Sequence, residues 1–327
     1  MAKQTKRTEM RSAQMIGYGD YKVIKINEGP IPHVEPTHLL IKVHASSINP
    51  LDCKLREGFF KSMILQPLPR TLGFDIAGEV VSMGAMVKHF RIGDRVIAKS
   101  MSLPGGAHAD FVILPERICA VLPDTIEYTT AAGLPLSGLT ALQGLRDHLH
   151  VKPGEKVLIN GAGGGVGHLA LQLAKIMRAQ VTAVVSEKQS EWATLLGADK
   201  VVSYEHHDLQ SIKTKFDAIF DVVGNIPKAQ AKSMMKANGR YVSTDFSIQN
   251  SLIDAFTNLF QTQSFSSIMV RSSRMDLDYL VNLVVHQLLR VQIETVFEFD
   301  KVAAAHKHMS TKKGVGKVII QVSDEAR

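Results

Sequence analysis

A chain of 327 residues with 45% hydrophobic and 21% charged side chains holds enough apolar material for two packed domains and too little charge bias for a disordered or fibrous protein. Its net charge of +7 comes from scattered Lys and Arg with no long basic block, beside a single Trp, which argues against a nucleic-acid surface and for a basic enzyme with an anionic cofactor. No apolar run of roughly 18 residues is present, so no transmembrane helix is expected, and two cysteines, Cys53 and Cys119, leave no disulfide framework or four-thiolate zinc site and fit a reducing cytoplasm.

The N-terminus, 1–11, is basic and polar, lacks the apolar stretch of a secretory signal, and is expected to be a disordered tail. Up to about residue 125 the chain reads as β-structure punctuated by turns. Strands are expected over 39–43, 45–48, 76–83, 97–98 and 111–114, and prolines recur from Pro30 to Pro123. From about Thr129 the character changes, with helical spacing over 129–146. Strands at 157–159, 181–185, 200–202, 218–222 and 239–243 then alternate with helices at 167–177, 189–196 and after Lys228. That alternation predicts a doubly wound parallel sheet with helices on both faces, an α/β fold. A helix (275–289), a strand (292–299), a helix (302–308) and a strand (317–322) close the chain.

The most informative segment is Gly161-Ala162-Gly163-Gly164-Gly165-Val166-Gly167, set between the apolar strand 157–159 and the helical pattern that follows. A strand, a glycine turn and a helix are what a dinucleotide-binding loop requires. The turn needs residues without a Cβ, and the pyrophosphate lies against backbone N–H groups at the positive end of the helix. The end of the next strand decides between the two nicotinamide cofactors. NAD binding wants a carboxylate there to hold the ribose; Ser186 and Lys188 offer a hydroxyl and a cation, which suit a 2′-phosphate, with Glu187 as the counter-argument. Val222, Val223 and Gly224 end the fourth nucleotide-domain strand, on the side where strand ends form the ligand crevice.

In chain order, Ile48-Asn-Pro-Leu-Asp-Cys-Lys54, Leu72-Gly-Phe-Asp-Ile-Ala-Gly-Glu-Val80, Gly93-Asp-Arg-Val96, Ala132-Gly-Leu-Pro-Leu-Ser-Gly-Leu-Thr-Ala141, the glycine loop, Leu196-Gly-Ala-Asp199, Phe216-Asp217 and 314–318 span nearly the whole sequence. Each motif alone is weak; as an ordered set they resemble the zinc-free quinone oxidoreductase (zeta-crystallin-like) branch of the medium-chain dehydrogenase/reductase superfamily. The resemblance implies a GroES-like, mostly-β catalytic domain (1–126 and 271–327) around a Rossmann NADP-binding domain (127–270). It implies that Asn49 and Asp52 lie on the loop facing the nicotinamide, that Thr140 heads a helix approaching the cofactor, and that Tyr204 contacts the 2′-phosphate. Homodimerisation follows from the family alone, with 246–274, rich in Ser and Phe (Phe256, Phe260, Phe265), as either a subunit contact or a lid over the cleft.

Asn49 stands where zinc alcohol dehydrogenases of the superfamily place a cysteine ligand, and Phe74-Asp75 where they place His-Glu. A carboxamide and a phenyl ring do not replace a thiolate and an imidazole, so no metal is expected. Without a Lewis acid, substrates that delocalise the arriving charge suit the site: quinones and α,β-unsaturated carbonyls, with NADPH as donor. Asn49 suits a hydrogen bond to substrate oxygen, and equally an Asx-type turn before Pro50. Asp52 is read chiefly as holding its loop by accepting backbone N–H bonds. Lys317 lies where the chain returns to the site, and reads equally as a strand-start lysine. No Tyr-x-x-x-Lys pair of short-chain reductases is formed at Tyr241, which is followed four positions on by Asp245. A non-catalytic NADPH-binding sensor or nucleic-acid-binding protein of the same fold is the alternative.

Overall fold

The protein is described by a computed structural model covering residues 8–64, 67–245, 258, 261–311 and 314–323. Two large sheets carry the fold. One is a six-stranded parallel sheet with the order β11-β10-β9-β12-β13-β14, formed by β9 (Lys156–Asn160), β10 (Gln180–Val185), β11 (Lys200–Ser203), β12 (Phe216–Asp221), β13 (Met235–Ser243) and β14 (Ser264–Ser267). Val157, Leu158 and Ile159 of β9 are fully buried, as expected for a central parallel strand covered on both faces. β9 pairs with β10 on one side and β12 on the other, so strand order reverses there, at the point where doubly wound sheets take their ligands beyond the carboxyl ends.

The other sheet has seven strands. At its centre β3 (His38–Ile48) pairs with β5 (Asp75–Met83), β7 (Phe111–Pro115) and the C-terminal strand β16 (Lys317–Gln321). β15 (Ile293–Glu298), β6 (Arg95–Lys99) and β8 (Cys119–Val121) extend its two sides. A three-stranded sheet of β1 (Glu9–Met15), β2 (Ile24–Pro30) and β4 (Arg70–Thr71) completes the β-structure. The pairing of Val318 with Ile48 brings the last strand beside the end of β3, and this joins the two ends of the chain at one site.

Several local expectations are corrected. The tail at 1–11 is not wholly disordered: Glu9–Met15 is a strand, and Arg11 is held to Asp110 by its backbone N (2.9 Å) and its guanidinium (3.0 Å). Strands 39–43 and 45–48 are one strand with a register shift between Val43 and Ala45. The β-rich region contains a helix, α1 (Pro50–Arg56), started by a proline that needs no N–H partner at the first helical position. The helical stretch 129–146 divides into α2 (Tyr128–Ala132) and α3 (Pro135–Gln143), because Pro135 cannot continue the preceding turn, and α3 runs into a π-turn at Gly144–His148. Phe265 is buried against Tyr241, ring centroids 5.5 Å apart; Phe256 and Phe260 lie outside the described residues.

Phe220 in β12 is fully buried, and its ring closes over Gly144: a Cβ built there would lie 2.5 Å from Phe220 Cζ. We expect Phe220→Ala to lower unfolding free energy by about 3–5 kcal/mol, through lost burial and an unfilled cavity. Urea titration at an unchanged m-value checks this; a loss under ~1 kcal/mol would show that the π-turn collapses onto the space.

Candidate active site

Four chain segments meet in one buried polar cluster. Ser47 lies one residue before the end of β3, which leads to Asn49; β5 begins at Asp75; Leu136 and Ser137 lie in the first turn of α3; β16 begins at Lys317. Asp75 is fully buried. Its Oδ1 accepts the Leu136 backbone N–H (2.7 Å). Its Oδ2 accepts from Ser47 Oγ and from Asn49 Nδ2 (2.9 Å), and Lys317 Nζ lies 3.5 Å away. Lys317 Nζ also donates to Asn49 Oδ1 (2.6 Å) and Ser137 Oγ (2.9 Å). The carboxylate thus anchors the first turn of α3, whose N–H groups have no intrahelical acceptor.

Asp52, in the first turn of α1, accepts the Asn49 backbone N–H at 2.8 Å, the loop-holding role read from the sequence. Burial pushes its carboxyl up to about 7; the Asn49 bond opposes this, Asp75 adds to the rise and Lys317 lowers it. Beneath it, His108 and His306 pack edge to face, centroids 5.6 Å apart. Burial holds His108 down to about 4 and His306 well below its ordinary value, so both are neutral. Cys53 is buried 3.9 Å from His306 Nδ1, its thiol pushed up to about 11 chiefly by burial, which disfavours the thiolate.

Across the cluster lies the glycine loop. Gly161 adopts φ +81°, a conformation costly for residues with a Cβ. A Cβ on Gly167 would collide with the Gly161 carbonyl, so this turn closes only with glycine at both ends. Ala162 is buried and Gly163, Gly164, Gly165 and Val166 lead into α4 (Gly167–Ile176). His168 ties the loop to the residue that precedes β15: its Nδ1 bonds the Gly164 carbonyl (2.9 Å) and its Nε2 receives the Gln292 N–H (3.1 Å).

Ser186 and Tyr204 follow the paired ends of β10 and β11, where Val185 sits opposite Ser203. Ser186 is buried, Lys188 exposed and Tyr204 54% exposed. Glu187 carries the rival carboxylate, but His206 Nε2 lies 3.7 Å from it. Val222, Val223 and Gly224 follow the end of β12 rather than form it. Val223 faces Gly161 so closely that a Cβ on Gly161 would lie 2.6 Å from its Cγ2. Thr140 is buried in α3 and spends its hydroxyl proton on the Leu136 carbonyl (2.7 Å); its oxygen keeps acceptor capacity only. Among the described residues no group of three His, Cys, Asp or Glu side chains is placed to hold a metal ion.

Residues 35–124 match the alcohol dehydrogenase GroES-like domain, and residues 196–320 the zinc-binding dehydrogenase family. The chain is 30% identical over 323 residues to the chloroplastic quinone oxidoreductase of Triphysaria versicolor, covering 95% of this chain and 98% of that one. It is 31% identical over 323 residues to the chloroplastic NADPH-dependent alkenal/one oxidoreductase of Arabidopsis thaliana, covering 95% and 79%. The solved quinone oxidoreductase of Coxiella burnetii shares 32% identity and superposes with a TM-score of 0.90, over 96% of this chain and 100% of that one. The chain belongs to the quinone oxidoreductase branch of the medium-chain dehydrogenase/reductase superfamily.

In this medium-chain reductase the structure brings Asn49 and Asp52 to one side of the glycine loop, and Ser186 and Tyr204 to the strand ends. Sequence reasoning missed the centre of the cluster. Asp75 entered only as a lost metal-ligand position, and Ser47, Ser137 and His168 did not enter. A signal was available for Asp75: an ionisable residue directly after an aromatic at the start of an apolar strand needs a buried partner. A further node is Asp221, fully buried at the end of β12. It accepts from Asn160 Nδ2 (2.7 Å), the N–H groups of Gly224 and Ile226 (both 2.8 Å) and Tyr241 Oη (2.9 Å), and so shapes the turn that carries Val222–Gly224.

Asp52 gives a pH test. Its folded carboxyl titrates near 7 and its ordinary value is near 3.8, so between these the folded protein holds a proton that the unfolded chain has released. The stabilisation from that proton falls as pH rises through the window and is gone above it. Asp52→Asn keeps an acceptor for the Asn49 N–H. Its Tm, relative to the native protein, is expected to rise steadily from about pH 4 to about pH 8; parallel Tm–pH curves would contradict the assignment.

Proposed function

We propose that this protein is a zinc-independent, NADPH-dependent reductase that transfers hydride to quinones or α,β-unsaturated carbonyl compounds. The observation that carries the reading is Asn49: a buried carboxamide, held by Lys317 and Asp75, stands where the superfamily's zinc enzymes place a thiolate. The donor set here is a carboxamide, a carboxylate and an ammonium, and the ammonium already supplies the positive charge that a metal would bring. Two relatives are named for quinone reduction and one for NADPH-dependent alkenal/one reduction, which supports the same chemistry in this chain.

The residues fit the cofactor. The Gly161–Gly167 turn and the N-terminus of α4 would hold the pyrophosphate. Ser186, Lys188 and Tyr204 would take the 2′-phosphate. Thr140 and Val222–Gly224 would border the nicotinamide end. When bound, NADPH supplies the hydride. Asn49 donates a hydrogen bond to the substrate carbonyl and steadies the charge that develops on its oxygen. Asp52 holds the Asn49 loop in place, and solvent supplies the proton to a product that protonates readily. Two buried free thiols support a reducing compartment such as the cytoplasm. The edge position of β14 in the parallel sheet supports strand pairing between two subunits.

Purified protein assayed with NADPH and a panel of quinones and enones is expected to oxidise NADPH, and Asn49→Ala to lower kcat about 10²-fold. Cofactor binding without turnover on any substrate would favour the non-catalytic sensor instead. Ser186→Asp places a carboxylate against the 2′-phosphate and is expected to weaken NADPH binding about tenfold or more, with NADH little affected. Titration of cofactor fluorescence reads both constants; equal losses for the two cofactors would move the phosphate site elsewhere.

A further inference from the structure

The Lys317 ammonium is buried, 2% exposed, although a lysine opening a strand ordinarily reaches water. Its stem runs along the cofactor loop, where a Cβ built on Gly165 would lie 3.0 Å from Lys317 Cδ. Its head donates to Asn49 Oδ1 at 2.6 Å and Ser137 Oγ at 2.9 Å, 3.5 Å from Asp75 Oδ2. We propose that Lys317 is a positioning residue for hydride transfer, a fixed cation that orients the Asn49 carboxamide and strengthens it as a hydrogen-bond donor to substrate oxygen. This rests on the reductase reading given above.

The orientation follows from donor and acceptor chemistry. A carboxamide has two faces that differ by a flip. An ammonium only donates, so it selects Oδ1; a carboxylate only accepts, so Asp75 selects Nδ2. Asn49 therefore has a single orientation between them. Nδ2 carries two protons: Asp75 takes one, and the second, which also interacts with the Asp52 carboxyl, is the one a substrate oxygen would compete for. Positive charge on Oδ1 withdraws electron density through the amide and makes that N–H a stronger donor, a cooperative effect that low dielectric enlarges. During reduction of an enone, hydride adds to the β-carbon, the alkene pair moves to form the enolate, and solvent then protonates it to the saturated carbonyl. NADPH is the reductant and leaves as NADP⁺. Lys317 keeps its proton throughout; its charge acts on the oxygen only by way of Asn49.

This separates substrates by how much help their oxygen needs. A strongly oxidising quinone delocalises the charge by itself; a weakly activated enone does not. Lys317→Met is expected to lower kcat for such an enone by about 10- to 100-fold, to lower it several-fold less for a benzoquinone, and to leave the NADPH Kd within about threefold. In an Asn49→Ala background the same substitution is expected to have little further effect, because both changes remove one interaction. Lys317→Met leaves Asp75 without its cation, so Lys317→Met/Asp75→Asn, which removes both charges, is measured alongside; the same substrate split is expected there. Equal losses on both substrates, or effects additive with Asn49→Ala, would reduce Lys317 to a structural residue and overturn the proposal alone. An Asn49→Ala enzyme of native rate would overturn the active-site reading as well, so the two failures are distinguishable.

Discussion

Asp75 is a carboxylate with no access to water, and the two halves of the molecule are organised around satisfying it. Removing a charge from solvent is unfavourable unless a counter-charge and hydrogen bonds replace the water. Here the replacements come from β3, the Asn49 loop, the first turn of α3 and β16. Each bond is also a positional constraint. The one to Leu136 ties α3, which packs on α4 after the glycine loop, to the catalytic sheet. The ones to Asn49 and Lys317 hold the reacting side. A side chain that would be a stability liability alone becomes the point where the parallel six-stranded sheet and the seven-stranded sheet are registered.

The nucleotide half repeats the device. Asp221, equally buried, gathers Asn160, the turn after β12 and Tyr241. Burial of the Tyr241 phenol, with the charge and hydrogen bond of Asp221 added to it, pushes that phenol well above its ordinary value, so it remains a donor. The two buried aspartates flank the glycine loop, one from each sheet. The Gly163 carbonyl receives the Gly316 N–H at 3.2 Å, and the Gly164 carbonyl is bonded by His168 of α4, whose other ring nitrogen receives the Gln292 N–H. The glycine loop is therefore held in one shape by bonds to its own carbonyls.

Legibility in the sequence followed the range of the interaction. β9, the glycine turn and α4 were readable because apolar periodicity and residues without a Cβ act within one turn or strand. The strand at Glu9–Met15 escaped because its pairing partners, Gly29 and Thr71 among them, are supplied by distant segments, while its apolar residues, Met10, Ala13 and Met15, do not alternate strictly with polar ones. The run at 129–146 read as one helix because periodicity continues through Gly133-Leu134; the break depends on the ring of Pro135. Asn49 and Asp52 were found through motif resemblance, and Lys317 was placed near them as one of two readings, but Asp75, Ser47 and Ser137 were not.

The sequence by itself determined the α/β class, the glycine turn between β9 and α4, and the residue types at Ser186, Asn49 and Phe74. These are properties of residue type and near-neighbour spacing. Only the tertiary structure decided that Lys317 turns inward to meet Asn49 across 268 residues of chain, that Asp75 is a hub rather than a vestige, and that His168 clamps the loop. A buried ion pair leaves no periodic trace in either of its segments. Whether a lysine at a strand start is solvated or buried depends on which carboxylate the fold brings beside it, and that partner is set by the pairing of β16 with β3.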